Sequence, residues 1–279
     1  MGSSICVPPT LRETAFPDAF ARERTQAMSA ELLDLAIASA GGEELWDTVS
    51  GLKADVSIDG PVWGLKGWPP GTSFDQVLTI DTAREHIVFT PFTRPEWKMI
   101  FDAATDSVTV QTLDGEPVET LAPARAAFKG MLRNTDWDAP HLGYFLGYAC
   151  WNYFTSPFLF TYPGVRTREI EPWHEAGQTW RRLQVRFPPD IATHSPDAVF
   201  YYDAFGMQRR MDYVAEVNNS FLVGHYTGHH QNFGGLVMPT RRRMFRRNPD
   251  NSVNLNFPSI TVDVHGVELV RSDDEQVRP

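Results

Sequence analysis

Residues 141 to 160 of the chain read His-Leu-Gly-Tyr-Phe-Leu-Gly-Tyr-Ala-Cys-Trp-Asn-Tyr-Phe-Thr-Ser-Pro-Phe-Leu-Phe, a run of aromatic and apolar side chains without Lys, Arg, Asp or Glu. Asp138 and Pro140 precede it, and a capping carboxylate followed by a first-turn proline is typical of a helix start. Pro157 interrupts the run and ends the pattern. Because a helix that is apolar on every side is usually buried, the sequence predicts a core helix here.

The aromatic residues of this helix also permit a second interpretation. At helical spacing, Tyr144, Tyr148 and Trp151 fall along one face. A buried hydroxyl or indole N–H needs a hydrogen-bond partner, which a ligand can supply. The segment is therefore either a helix that only packs or a helix that lines a pocket for a lipophilic small molecule.

Charge and length restrict the possible functions. The chain has 279 residues and a net charge of −10 at pH 7. This length permits one large β-rich domain or two smaller ones. The acidic balance argues against a general nucleic-acid binder. One basic cluster runs from Arg241 to Arg247, and we interpret it as solvated arginines at a sheet edge, where they hinder strand pairing.

Cysteine usage and hydropathy bear on location. Only Cys6 and Cys150 are present, too few for a disulfide framework, and Cys150 is expected to act as a small hydrophobe. The N-terminal residues lack a basic segment followed by a continuous apolar stretch, and Gly, Asn and Pro interrupt the run at 141–160. We therefore expect a cytoplasmic protein with neither a secretory signal nor a membrane span.

The rest of the chain is mainly β. Ser29–Ala40 predicts an amphipathic helix with a serine cap, which ends at Gly41-Gly42, while the proline-containing residues 1–28 indicate an N-terminal arm. Alternating runs on both sides of a helical interlude at roughly 121–160 predict strands. These runs are Leu52–Ile58, Gln76–Asp81, Glu85–Thr90, Lys98–Phe101, Ser107–Thr112, Thr179–Phe187, Ala198–Tyr202, Met207–Tyr213, 221–233, 235–245 and 259–271. Because no linker separates the two halves, we expect a single domain over 29–279.

Two parts of the sequence resemble the LolA/LolB-like lipoprotein-carrier superfamily. The predicted first helix, Gly41-Gly42 and Leu45–Val56 resemble its opening, and Phe200–Met211 followed by His230–Arg241 resembles the tail of its sheet. The resemblance implies an α+β, mainly β fold. It would be a single large curled antiparallel sheet, an incomplete β-barrel, wrapped around helices with a hydrophobic cavity.

The resemblance does not extend to the carriers' location. Those carriers bear an export signal, which we do not find here, and His141–Tyr144 and Trp151–Tyr153 resemble segments of a cytosolic branch. We therefore expect the cavity but not lipoprotein trafficking.

Histidines supply the densest polar group, His225-Tyr-Thr-Gly-His-His230. His225 and His229 would share a face of a strand, or lie one turn apart on a helix. We expect no metal, because a zinc site needs further ligands that no cysteine pair or His-Glu-x-x-His pattern supplies. The two imidazoles are either ordinary strand histidines, or one of them is a general acid/base, since histidine titrates near neutral pH.

Further candidates come from helix starts, loops and strand ends. His141 stands beside Asp138 and is either reactive or part of the helix entry, stabilised by that carboxylate. His194 lies in a loop between two strands and is either reactive or simply exposed. Asp212 would have a raised pKa if it faced a cavity, and would otherwise be an ordinary surface carboxylate. In the enzymatic interpretation, Asp212 or His194 orients the catalytic histidine. The candidate pocket-lining residues are Tyr144, Tyr148, Trp151, Trp63, Trp68, Tyr201, Tyr213 and Tyr226.

Motifs of other enzyme classes are missing from the sequence. It contains no nucleophile elbow, phosphate-binding Gly-Lys-Ser/Thr loop or dinucleotide fingerprint, so we expect no cofactor.

The leading hypothesis is a cofactor-independent enzyme of secondary metabolism that isomerises or cyclises a lipophilic small molecule, or closes a ring in a pericyclic step, by orienting it in the cavity. The alternative is a non-catalytic carrier or sensor of a lipid or polyketide-like ligand. A third hypothesis, a scaffold whose aromatic segment only packs, predicts no cavity. The sequence does not separate enzyme from carrier or give the oligomeric state.

Overall fold

A computed structural model describes residues 19–272, with side chains from residue 30 onward. It contains α1 (Ala19–Ala40), α2 (Glu43–Trp46) and α3 (Ala139–Thr155). The strands are β1 (Val49–Asp59), β2 (Phe74–Asp81), β3 (His86–Thr90), β4 (Trp97–Asp102), β5 (Ser107–Thr112), β6 (Pro117–Leu121), β7 (Arg166–Glu175), β8 (Gln178–Arg186), β9 (Asp197–Tyr202), β10 (Gln208–Ala215), β11 (Phe221–Phe233), β12 (Leu236–Arg246) and β13 (Ile260–Arg271).

All the strands form one antiparallel sheet. Its 13 strands lie in the order β6-β5-β4-β3-β2-β1-β13-β12-β11-β10-β9-β8-β7. The chain thus runs outward from the centre to one edge, crosses by way of α3 to the other edge, and returns strand by strand to the centre. Because β6 and β7 are not paired, the barrel is incomplete. The predicted single curled antiparallel sheet around helices is confirmed.

The helix α3 lies on the concave face of the sheet. Its N-cap is Asp138, whose side chain accepts a hydrogen bond from the backbone N–H of His141, and it ends just before Pro157. Every residue of α3 except His141 is buried. It contacts β3 to β6 on one side, and Tyr153 contacts β11 and β12 on the other. The predicted core helix is confirmed.

The first helix and the edge strands differ from expectation. The predicted helix at 29–40 is present but begins at Ala19, and it packs on β7, β8 and β12. The division into an arm at 1–28 and a domain at 29–279 stays a prediction; residues 1–18 and 273–279 lie outside the described part. The strands β6 and β7 were not predicted, because charges and prolines, typical of protected edges, dilute their pattern. Across residues 19–272, we find no helix with the length and apolar character needed to cross a membrane.

The arginine cluster does not lie at an edge. The strand β12 lies between β11 and β13 near the middle of the sheet, so the interpretation as edge arginines was wrong. Arg241 is exposed, and Arg243 forms an ion pair with Asp263 at 2.8 Å between Nη2 and Oδ1. Arg242 points to the concave side and only 3% of it is exposed.

Candidate functional site

An apolar pocket of about 140 Å³ lies between α3 and strands β10 to β13. Phe145 of α3 forms one wall. Ala215, Val223, Met244 and Ile260 form the opposite wall, on the sheet. An apolar cavity of about 150 Å³ holds a benzene-sized ligand, so this pocket is large enough for part of a lipophilic molecule. The expected hydrophobic cavity is therefore present.

Large apolar side chains are exposed at the mouth of the pocket. Leu65 is 46% exposed and Phe257 is 78% exposed, and both line the pocket. Exposed apolar surface that is continuous with a cavity is typical of a ligand-binding groove or an interaction site. The mouth can therefore receive an apolar group from outside without a polar barrier at Leu65 or Phe257.

Tyr213 belongs both to the pocket wall and to a buried tyrosine–histidine cluster, formed by Tyr148, Tyr153, His194, Tyr213 and His225. The hydroxyl oxygens of Tyr148 and Tyr153 lie 2.9 Å from Nδ1 and Nε2 of His194, respectively. The Tyr153 hydroxyl also lies 3.2 Å from that of Tyr213. The ring of His225 meets that of Tyr153 edge to face, with centroids 4.8 Å apart. Two strands, a loop and α3 thus converge on one polar cluster inside the core.

Burial keeps the histidines of this cluster neutral. It lowers the pKa of His194 to about 3, with a smaller contribution from the charge of Arg125. Burial, and then the charge of Arg242, lower the pKa of His225 well below its usual value. A general acid or base works best when its pKa lies near the working pH. The cluster therefore suits hydrogen bonding better than proton transfer at neutral pH.

Arg242 lies beside this cluster. Its Nη2 donates a hydrogen bond to the backbone carbonyl of Tyr153 at 2.8 Å, and its Cζ lies 5.0 Å from the centre of the Tyr153 ring. Burial lowers the pKa of Arg242 to about 10, so the guanidinium stays charged at neutral pH. Sequence reasoning missed both residues. Tyr153 lies off the Tyr144/Tyr148/Trp151 face, and Arg242 was interpreted as solvated.

Of the catalytic candidates, the structure brings only His194 and His225 together. His229 is exposed, because its φ of 54° interrupts the alternation of β11. The prediction that His225 and His229 share a face was therefore wrong. His141 remains at the start of α3, with Nδ1 2.6 Å from Oδ1 of Asp138.

Asp212 lies on the convex face of the sheet, with Tyr201 and Tyr226. Both of its carboxylate oxygens accept from the fully buried Arg210, at 2.6 and 2.8 Å, and Tyr201 donates to it at 2.7 Å. Tyr226 accepts from Arg210 at 2.9 Å and donates to Glu175 at 2.6 Å. Adjacent residues of a strand point to opposite faces, and Tyr213, the next residue on β10, points towards His225. Asp212 therefore points away from His225 and does not orient it. Neither Tyr201 nor Tyr226 lines the apolar pocket.

None of the three tryptophan candidates lines the apolar pocket. Trp63 is buried and packs edge to face on Phe145, with ring centroids 6.5 Å apart. Trp68 lines a separate surface groove. The Nε1 of Trp151 donates to the backbone carbonyl of Asp81 at 2.8 Å.

Tyr144 lines a wider depression of about 650 Å³ on another side of α3. This depression contains the ion pair between Arg125 and Glu216, at 2.6 Å, together with Asp106 and Asp190. Its charged lining suits a lipophilic ligand less well than the smaller apolar pocket. Within residues 19–272, no group of three or more His, Cys, Asp or Glu is arranged to hold a metal ion.

Comparisons with known proteins give a likeness of structure and none of sequence. No protein-family model matches the chain, and curated protein sequences give no significant match. A LolA superfamily protein from Nitrosomonas europaea aligns over 90% of this chain and 98% of its own, with a TM-score of 0.50 and 9% identity. A domain from Vibrio parahaemolyticus, described as an outer membrane lipoprotein-sorting protein domain, aligns over 89% of this chain and 96% of its own, with a TM-score of 0.53 and 10% identity. At such identities, the likeness shows the fold alone.

Proposed function

The chain has a LolA-like fold, and from that premise we propose that it is a non-catalytic carrier or sensor that holds a lipophilic small molecule in the apolar pocket. The observation that carries this proposal is the pocket itself, because its apolar wall continues into Leu65 and Phe257, which are exposed at its mouth. Such side chains lose contact with water when a ligand covers them, and burial of apolar surface contributes about 25 cal/mol per Å².

The flexibility of the lining supports reversible loading. Met244 forms part of the pocket wall, and an unbranched thioether adapts its shape to different neighbours. A pocket of about 140 Å³ holds only part of a long ligand without adjustment, so Met244 and the mouth residues are expected to move as the ligand enters. This behaviour suits a carrier that accepts and releases its cargo unchanged.

Carriage is better supported than catalysis. The polar residues in the wall of the apolar pocket are Arg133, Asn218 and Ser259, and no carboxylate or imidazole of the described residues belongs to it. The nearby histidines are held neutral with strongly lowered pKa values. The enzymatic hypothesis, with His225 or His229 as the acid/base, thus stays a prediction that these features do not support. The cytoplasmic location also stays a prediction.

Two measurements test this proposal. Native mass spectrometry of the protein purified from its own host, followed by extraction, should recover a discrete lipophilic compound. Incubating that compound with fresh protein should return it unchanged; chemical conversion would favour the enzyme instead.

The second measurement is a titration with an uncharged solvatochromic dye. Val223→Phe fills the pocket from β11, and we expect it to weaken dye binding at least about tenfold, since roughly 1.4 kcal/mol of lost contact suffices. The matched control is Val77→Phe, because Val77 is 40% exposed on β2 and lies outside the pocket. Equal binding by both variants would place the ligand elsewhere and contradict the proposal.

A further inference from the structure

Arg242 carries donors that nothing in the described chain uses. Among the described residues, its buried Nε and Nη1 have no hydrogen-bond partner, and its Nη2 donates to the carbonyl of Tyr153. None of the ion pairs formed within residues 30–272 includes Arg242. A charge in the interior is normally paired, because removing it from water is costly. Arg242 is therefore a buried cation for which the described residues supply no anionic partner.

His225 presents a second set of unused polar atoms at the same place. It is fully buried, and neither Nδ1 nor Nε2 has a hydrogen-bond partner in the part of the chain that the structure describes. Arg242 and His225 both lie against the ring of Tyr153. The Cζ of Arg242 is 5.0 Å from the centre of that ring, and the centre of the His225 ring is 4.8 Å from it. One neutral imidazole N–H and the three N–H bonds on Nε and Nη1 of Arg242 thus lack an acceptor among the described residues in this region of the core.

The unused donors lie next to the apolar pocket. Met244, which lines the pocket, is paired directly with His225 across the β11–β12 ladder. Tyr213, also a lining residue, has its ring centre 6.3 Å from that of His225. The side chains of Met244 and Tyr213 therefore form the boundary between the apolar space and the polar region, and Met244 is the more adaptable of the two.

We infer that Arg242 and His225 form a headgroup site at the inner end of the pocket, which takes the carboxylate of an amphiphilic ligand whose apolar body occupies the pocket. Unpaired donors beside a permanent cation select an anionic acceptor, and the apolar lining selects a hydrocarbon attached to it. This inference rests on the proposed function and specifies the cargo: a lipophilic molecule with one acidic end.

A calorimetric titration of the full chain, at about pH 8, tests the assignment. The probes are a medium-chain fatty acid, the fatty alcohol of the same length, and acetate. The wild-type protein should bind the acid about 10- to 100-fold more tightly than the alcohol, as expected for a buried charged hydrogen bond. Arg242→Met should remove this preference by lowering the affinity for the acid and leaving the affinity for the alcohol unchanged. The neighbouring Arg241→Met is the control and should keep the preference, because Arg241 is exposed.

A second variant keeps the test decisive if Arg242→Met does not fold. His225→Phe removes only unused polar atoms, so it should fold and lower the affinity for the acid while leaving the affinity for the alcohol unchanged. Equal binding of acid and alcohol by the wild type would overturn the headgroup site and leave the proposed function standing. Acetate binding as tight as that of the fatty acid would overturn the inference that the ligand needs an apolar body. Binding of neither fatty probe would contradict the proposed function as well.

Discussion

The imidazole of His194 lies parallel to the phenol ring of Tyr213, with centroids 4.0 Å apart and planes 6° apart. Its two ring nitrogens contact the hydroxyls of Tyr148 and Tyr153 at the same time. A neutral imidazole has one donor and one acceptor nitrogen, so both are used. His194 is therefore held as a neutral ring by stacking on one face and hydrogen bonds in its plane.

The neutral histidines should make stability depend on pH. The pKa of His194 is lowered to about 3, whereas an unfolded histidine titrates near about 6.5. Below about 6.5 the unfolded chain binds a proton that the folded chain does not, so the stability present above that pH is lost as pH falls towards 3. We expect the free energy of unfolding to fall by about 1.4 kcal/mol per pH unit for each such histidine.

Urea unfolding at about pH 7.5 and about pH 5.5 measures this slope. His225→Phe should make the slope shallower, because the pKa of His225 is also lowered by burial. The exposed His229→Gln should leave it unchanged. A slope that is the same in all three proteins would show that the buried histidines do not cause it.

Tyr153→Phe and Tyr202→Phe form a matched pair. The Tyr153 hydroxyl contacts His194 and Tyr213, so its loss leaves a buried ring nitrogen unsatisfied and should destabilise the protein by about 1–3 kcal/mol. The Tyr202 hydroxyl is equally buried but has no partner within the described residues. Its removal should leave the free energy of unfolding unchanged or raise it. Equal losses in denaturant titrations would disprove the network's contribution.

Gly147→Ala should destabilise the protein although alanine favours helices. A Cβ at Gly147 would lie 2.6 Å from the Cβ of Phe101, at the base of a ring that cannot easily move. Overpacking costs about 1–3 kcal/mol and exceeds the gain in helix propensity of about 1 kcal/mol. Gly64→Ala is the control and should be neutral, because no atom of the described residues lies within 4 Å of the added Cβ. Thermal unfolding of both variants decides between propensity and packing.

Arg210→Met should be among the most damaging single changes. Asp212 is only 5% exposed, and the substitution would leave its carboxylate without its main partner, which costs about 3–5 kcal/mol. Arg84→Met removes an exposed ion pair with Asp81 and should cost at most about 1 kcal/mol. Chemical denaturation of the two variants measures both losses; similar values would mean that the buried pair is not needed.

The elements with strong local signals were predictable from the sequence. Asp138, Pro140 and Pro157 fix the two ends of α3, because a cap and prolines act within one helical turn. The alternating strands were predictable for the same reason, since each pattern is contained in a few residues. The edge strand β7 was not, because Arg166 to Glu175 carries the charges that protect an edge and dilute the alternation.

The site was predictable only in part. Alternation indicates which residues share a face, but not which face is concave, and this is why Asp212 and Tyr226 were expected in the pocket. The position of His229 depends on one positive φ, which the residue type does not reveal. Arg242 was missed because arginine is rarely buried, although it alternates with Thr240 and Met244 in a row that is otherwise uncharged.

The central pairing of β1 with β13 affects how the chain folds as it leaves the ribosome. Strands β1 to β6 can assemble from neighbouring hairpins as soon as they are synthesised. The other edge of β1 stays unpaired until β13 is made, because Ala54 pairs with Val267. Contacts between residues so distant in sequence form slowly, and an unpaired strand edge attracts other chains meanwhile. A nascent chain that stalls before Ile260 would thus expose the middle of its sheet, and such a chain is a natural client for a chaperone.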